Sequence, residues 1–585
     1  MSNLVRFWPL SAENRLVRKK NSEEKFMKYF PEKLTVKWIS SCYDSMELTP
    51  LELIEEIIRR SEEEANKEKN VWIVKPSLDL IAPYLERLGE RGPDKPLWGI
   101  PFAIKDNIDL AGVQTSAACP DFAYVPSESA TVVKRLVEAG AVPVGKTNLD
   151  QFATGLVGTR SPYGECHNAY QDSMISGGSS SGSAVSVALG LCAFALGTDT
   201  AGSGRVPAML NSIVGFKPSR GAWSTKGVVP ACQSLDCVSV FSNSLDDAVL
   251  VDSVARSYDI ECAWSRKIKL NVESLPKKIY LPDKMPEFFG EWKSTYEGKW
   301  ESAVFRIRNI AREKGIKVQE IDISMFQRAA LILYEGAYVA ERWADLKDFV
   351  EGNPGKTFPV TEKILRSGAE SGNTASKLFS DLHELELYRH LSDELLDDSV
   401  LVLPTAGGSF TREQVRSDPV ATNSKMGLYT NHCNLLDMAA IAVPENRTDR
   451  EYPFGVTIFA RHDSENLLFG FAREFLEGEG VKLAVCGLHK KGRELESQIV
   501  EIGGVFLFHG KTSDEYGVLT LDTLPPKPGL FKVRPGEKGS PVDVDVYLLP
   551  KSKLGFFMDN VLPPHAIGSV TLEGGEKVKG FVLQK

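Results

Sequence analysis

The sequence predicts an α/β protein with a small β-rich domain at its C-terminal end. Three observations lead there. Between about residues 97 and 250, short apolar runs (Gly99 to Ile104, Ala141 to Val144, Cys192 to Leu196) alternate with helical ones (Ala130 to Ala139, Ser183 to Leu191), which is the texture of strands interleaved with helices. From about 260 to 400 helical stripes dominate. After Gly478-Glu479-Gly480 short alternating strands take over, with Val542, Val544 and Val546 set against Asp543, Asp545 and Tyr547.

Taken in order, residues 1–30 are polar and mixed and read as a loosely held start. Thr49-Pro50-Leu51-Glu52 supplies an N-cap, a proline for the first helical position and a capping-box glutamate. Leu53, Ile54, Ile57 and Ile58 then form one apolar stripe. Ser302 to Lys314, Met325 to Trp343 and Ser376 to Leu396 read as helices, Val400 to Leu403 and Ala440 to Val443 as strands, and Ser464 to Leu476 as a last helix. Pro525 to Gly529 and Gly574-Gly575 are turn signals. A domain boundary is expected near 478–482, dividing 1–480 (core about 35–477) from 481–585. Length alone, at ~150 residues per domain, would suggest about four units.

The 585 residues are 42% hydrophobic and 25% charged, which is globular and excludes disordered or collagen-like chains. A net charge of −9 gives no general pull towards nucleic acid or a membrane surface. An anionic small molecule would need a local cation. Nine cysteines without a CxxC pair make neither a disulfide scaffold nor a zinc site. No secretory leader is visible, and the longest small-and-apolar run, Ala184 to Gly197, falls short of the ~20 residues a span needs. The expectation is a cytoplasmic protein using no metal and no organic cofactor.

Two motif matches fail on physical grounds. Gly140 to Thr147 (GAVPVGKT) fits a phosphate-binding pattern, but its middle residues are an apolar strand, which cannot make a nest of exposed amides. Gly178 to Gly182 (GSSSG) fits a nucleophile elbow around Ser180, but no hydrophobic strand runs into it.

Three other segments fit one another. Pro101 to Asp109 (PFAIKDNID) puts Lys105 at the end of an apolar strand; Gly177 to Ala184 is GGSSSGSA; Gly197 to Ala208 is GTDTAGSGRVPA. Together they resemble the amidase signature family, whose hydrolases use a Ser–cis-Ser–Lys triad. The resemblance places Ser203 at the nucleophile, Ser179 at the cis-serine and Lys105 at the lysine. It implies a mixed β-sheet flanked by helices. The chemistry is consistent: a serine hydroxyl needs a base within reach, and a lysine serves only when burial lowers its pKa. Backbone N–H groups of Thr200, Ala201 and Gly202 can form an oxyanion hole. Arg205 reads as structural.

Thr147 to Gly164, Pro230 to Ser239 and Tyr334 to Arg342 (YEGAYVAER) resemble the allophanate hydrolase branch of that family. This implies that Arg342 and Tyr334, two helical turns apart, bind the carboxylate of allophanate (urea-1-carboxylate). Arg160 is a further substrate-binding candidate. Val485 to Gly492, Leu524 to Leu530 and Ile567 to Phe581 resemble that branch's C-terminal domain, with a γ-glutamylcyclotransferase-like fold. His489 stands at its histidine, and the domain would decarboxylate N-carboxycarbamate. The flanking KKGRELE departs from the branch's usual proline and asparagine. The resemblance also implies a homodimer, with the early helical region as interface, and a functional link to a urea carboxylase. No biotin-carrier Met-Lys-Met is found, so allophanate is expected from a separate protein or from a longer chain of which this is one half. The alternative substrates are malonamate, biuret or an aryl amide; the alternative class is an amidotransferase subunit.

Overall fold

Apolar strands buried on both faces organise the larger part of the molecule. The computed structural model describes residues 30–583, apart from 371, 373, 448, 478–479, 503, 522–526, 535–536, 551–553, 556, 559–560 and 562. The expected loose start up to residue 29, the boundary residues Gly478 and Glu479 and the stretch Leu524 to Pro526 lie outside the described residues.

Among the described residues eleven strands form one sheet: β1 (Trp72–Val74), β2 (Pro101–Lys105), β3 (Val142–Thr147), β4 (Phe194–Asp199), β5 (Val214–Lys217), β6 (Cys237–Ser242), β7 (Lys278–Pro282), β8 (Lys317–Ile321), β9 (Ser399–Pro404), β10 (Ala439–Pro444) and β11 (Gly455–Ala460). Their order is β1-β3-β2-β4-β6-β5-β10-β11-β9-β7-β8. Strands β3, β2 and β4 run parallel at one side and β9, β7 and β8 at the other, with an antiparallel centre between them. Every residue of β2, β3, β4, β6, β9, β10 and β11 is buried. That is why these segments read as continuous apolar runs rather than alternating ones. GAVPVGKT is one of them, and its Lys146 pairs with Asp106 inside the core at 3.2 Å.

The capping box forms as expected. Thr49 caps helix Pro50–Ser61, with Glu52 closing the box, and Leu53, Ile54 and Ile57 are buried. The expected single helix over 325–343 is two. Ser324–Glu335 ends at Gly336, and Val339–Gly352 begins beyond it. A Cβ at Gly336 would collide with the Ile332 carbonyl, and Asp381 takes the freed Ala337 N–H at 2.8 Å. A buried carboxylate therefore stabilises a break that the apolar pattern alone runs straight through.

The C-terminal strands are β12 (Gly480–Val485), β13 (Val505–Lys511), β14 (Tyr516–Leu521), β15 (Lys527–Lys532), β16 (Asp543–Pro550), β17 (His565–Thr571) and β18 (Lys577–Leu583). Five make a sheet in the order β13-β16-β12-β18-β17, and β14 and β15 pair separately. The alternation in β16 does not separate core from solvent. Val544 and Val546 enter one apolar cluster, while Tyr547 and Leu549 enter another. Asp545 is buried between hydrogen-bonding partners. Helix Val36–Asp44 reaches this sheet: the Lys37 ammonium lies 3.5 Å from the centre of the Phe508 ring on β13.

Candidate active site

Strands β2 and β4 are parallel neighbours, so their C-terminal ends lie side by side. They deliver Lys105 and Thr198 to one spot: Lys105 Nζ donates to Thr198 Oγ1 at 2.7 Å and to Ser179 Oγ at 2.8 Å. Lys105 is fully buried. Burial pushes its pKa down to about 7, against the opposing charges of Asp150, Asp236 and Asp199. A lysine in that range is partly neutral near pH 7 and can accept a proton.

Ser179 sits on a cis peptide after Gly178, immediately before the buried helix Ser181–Ala188. Ser180 turns away and hydrogen-bonds the Thr198 backbone at 3.0 Å, so the middle serine of GSSSG is a structural tie. Ser203 is 3% exposed, and its hydroxyl donates to the Gly155 carbonyl at 3.5 Å.

The turn before Ser203 is held by two carboxylates. Asp199 accepts the N–H groups of Gly202 (2.9 Å) and Gly204 (3.0 Å) and pairs bidentately with Arg205 (2.8 and 2.9 Å). Arg205 is thus a buried brace, as its position suggested. Asp236, whose pKa burial pushes up to about 6, accepts the Thr200 hydroxyl and the N–H groups of Ala231 and Cys232. Gly202 has φ +137°, and a Cβ there would strike Thr430. Of the three oxyanion candidates, Gly202 has its N–H committed to Asp199 in this structure. The N–H groups of Thr200 and Ala201 donate to no protein group among the described residues.

Beside this centre lie two buried guanidinium groups. Arg342 donates to Thr154 Oγ1 at 3.2 Å and stacks over the Tyr334 ring at 5.4 Å. The two come together across the helix break rather than along one helix face. Arg160 donates to the Thr154 carbonyl at 2.9 Å and to the Pro419 carbonyl at 2.6 Å. The Nε of each arginine is buried without a hydrogen-bond partner. Neither forms an ion pair among the described residues. Buried guanidinium groups with spare donors are able to receive an anion. Thr154 joins both arginines and precedes Gly155, whose carbonyl takes the Ser203 hydroxyl, so the arginines adjoin Ser203.

The amidase family model matches residues 52–469. The chain belongs to the amidase family. A second model, the allophanate hydrolase C-terminal domain, matches residues 481–585. The urea amidolyase of Lachancea kluyveri is 40% identical over 530 residues, covering 84% of this chain and 28% of its own length. That of Saccharomyces cerevisiae is 36% identical over 595 residues, covering 94% of this chain and 32% of its own. This amidase chain therefore spans less than a third of the length of these curated relatives. Among solved structures, Kluyveromyces lactis allophanate hydrolase is 37% identical with a TM-score of 0.69, covering 94% of this chain and 95% of that one.

Several residues that shape the amidase centre escaped sequence reasoning, although each lies inside or next to a quoted motif. Thr198 is in GTDTAGS and Asp150 in TNLDQF, but only the paired strand ends show what they touch. Glu341, next to Arg342, accepts Ser234 N (2.8 Å), Ser234 Oγ (2.7 Å) and Cys232 Sγ (2.9 Å), tying its helix to the turn that Asp236 holds. In the C-terminal sheet, His489 ends a short turn, stacks on Phe581 at 4.9 Å and has its Nε2 3.1 Å from Gln498 Oε1. A histidine–carboxylate pair among the described residues there is His509 with Asp545, at 2.6 Å.

Proposed function

We propose that this amidase hydrolyses allophanate to ammonia and carbon dioxide in urea degradation, through an acyl-enzyme on Ser203. The observation that carries the substrate is the pair of buried guanidinium groups, Arg160 and Arg342, beside the serine–lysine centre. Allophanate has an amide at one end and a carboxylate at the other. With the carboxylate on the arginines and Tyr334, the terminal amide lies towards Ser203.

Neutral Lys105 takes the Ser203 proton through the Ser179 hydroxyl as Ser203 Oγ attacks the terminal carbonyl. The N–H groups of Thr200 and Ala201 are oriented by Asp236 and Asp199 to receive the oxyanion, each such donor contributing ~2.7–4 kcal/mol. The proton returns to the leaving nitrogen and ammonia departs. Water then cleaves the acyl-enzyme by the same relay, releasing N-carboxycarbamate. That dianion takes up a proton on nitrogen and loses carbon dioxide, and the C-terminal domain with His489 is the proposed place for the step; the carbamate left behind takes up a proton and breaks down to a second ammonia and carbon dioxide. The domain boundary is proposed near 478–482. No metal or organic cofactor is required by this chemistry.

The substrate is proposed to come from a urea carboxylase, on a separate chain or on one continuous with this sequence. Nine unpaired cysteines fit a reducing, cytoplasmic setting. A homodimer is also proposed. Helix Val36–Asp44 lies against β13 of its own chain, whereas helix Ala375–Leu395 exposes Phe379, Leu387 and Leu391, spaced eight and four residues apart. Antiparallel pairing of two copies would cover these residues and set Lys377 of one opposite Glu394 of the other.

Ammonia release from allophanate and from a matched neutral amide tests the substrate reading. Strong preference for allophanate is expected; equal turnover of malonamate, biuret or an aryl amide would favour the broader amidase alternative. Light scattering tests the dimer, with Leu387→Glu expected to give monomers.

A further inference from the structure

Asp150 is a fully buried carboxylate just beyond β3. It accepts the N–H groups of Val157 at 3.2 Å, Gly158 at 3.0 Å and Arg160 at 2.9 Å. Its own N–H donates to the Ser179 carbonyl at 3.1 Å. A Cβ on Gly155 or on Gly178 would run into this carboxylate, so two glycines leave room for it on either side. Through its side chain Asp150 therefore holds the Val157–Arg160 segment that follows Gly155, and through its backbone N–H it meets the cis peptide of Ser179. No ion pair neutralises it among the described residues, and Lys105 and Arg160 both lie within reach of its charge.

We infer that Asp150 is a positioning residue for the hydrolytic centre, holding the Val157–Arg160 turn against the Gly178–Ser179 peptide and setting an unneutralised negative charge opposite the Lys105 ammonium. Two other carboxylates act on Lys105, one of them ion-paired. Asp199 is bound bidentately by Arg205, and Asp236 is surrounded by hydrogen-bond donors. The groups facing Asp150, besides Lys105, are the Arg160 guanidinium and the buried Cys166 thiol. Each time Ser203 attacks, Lys105 must carry a proton at a fully buried position. A charged lysine is costly there unless an opposite charge is near. Asp150 supplies that charge without touching Lys105, so the lysine remains free to bond Ser179.

The inference rests on amide hydrolysis by Ser203 and Lys105 and not on the identity of the substrate. The test is the pH profile of kcat/KM for Asp150→Asn, on whichever amide the wild-type protein turns over. Removing the charge disfavours the ammonium form, so the acid limb is expected to move to lower pH by about one unit, with a lower plateau. A purely structural role would lower the rate at every pH and leave the limb in place, and that result overturns the inference. If Asp150→Asn does not fold, Asp150→Ser, which keeps one acceptor and removes the charge, reads the same limb. A wild-type protein that hydrolyses no amide would defeat the functional reading itself, a separate result visible before any variant is made.

Discussion

Lys105 and His489 are each the ionisable residue that sequence reasoning singled out in its own domain, and the structure holds them in opposite ways. Lys105 is sealed at the end of β2, its amine bonded to two hydroxyls and acted on by the charges of three buried carboxylates. His489 sits on a surface turn, half-buried, its ring laid on Phe581 and its Nε2 against an amide. Burial changes what a titratable group can do only when its surroundings are fixed. The amidase centre has that fixed frame, whereas the turn at His489 leaves its ring partly in solvent.

The comparison can be broken by substitution. The largest effect is expected for Ser203→Ala, which should lower ammonia release by at least about 1000-fold while leaving the circular-dichroism spectrum unchanged. Retained turnover would remove the mechanism. Next is pH. The neutral Lys105 amine exists above its pKa of about 7, so kcat/KM should rise through that value and fall about tenfold per unit below it. A profile flat down to pH 5 would show that Lys105 is not the base.

Arg342→Ala should cost about 10–100-fold on allophanate, the equivalent of one charge-assisted hydrogen bond, and far less on a neutral amide. Equal losses on both would refute its contact with the carboxylate. The smallest effect is expected from the other side of the comparison. His489→Ala should leave release of the first ammonia within about twofold of wild type, its effect being confined to release of carbon dioxide. A chain ending at Glu477 should behave likewise; if it folds and yet cannot release ammonia, the two regions are not separable.

Legibility followed the same division. The large sheet could be read because its strands are buried on both faces and so are continuously apolar, and helix Pro50–Ser61 because its capping box is local. Ser203, Ser179 and Lys105 could be singled out because glycine, serine and lysine stand in fixed short motifs. The helix break at Gly336 could not, since Asp381, 44 residues away in the chain, stabilises it. Nor could the burial of Asp545, which depends on His509 from another strand and on the backbone of the turn after His489.

The sequence by itself determined the α/β class and singled out Ser203, Ser179 and Lys105, together with the arginines proposed to meet an anion. Those depend on residue type and near spacing. Only the tertiary structure decided which of the Thr200, Ala201 and Gly202 amides are uncommitted, that Tyr334 and Arg342 meet across a break, that Arg160 and Arg342 share Thr154, and that Asp150 binds both the Val157–Arg160 segment and Ser179. Each of these is a contact between segments distant in the chain, and its energetics depend on burial that packing alone creates.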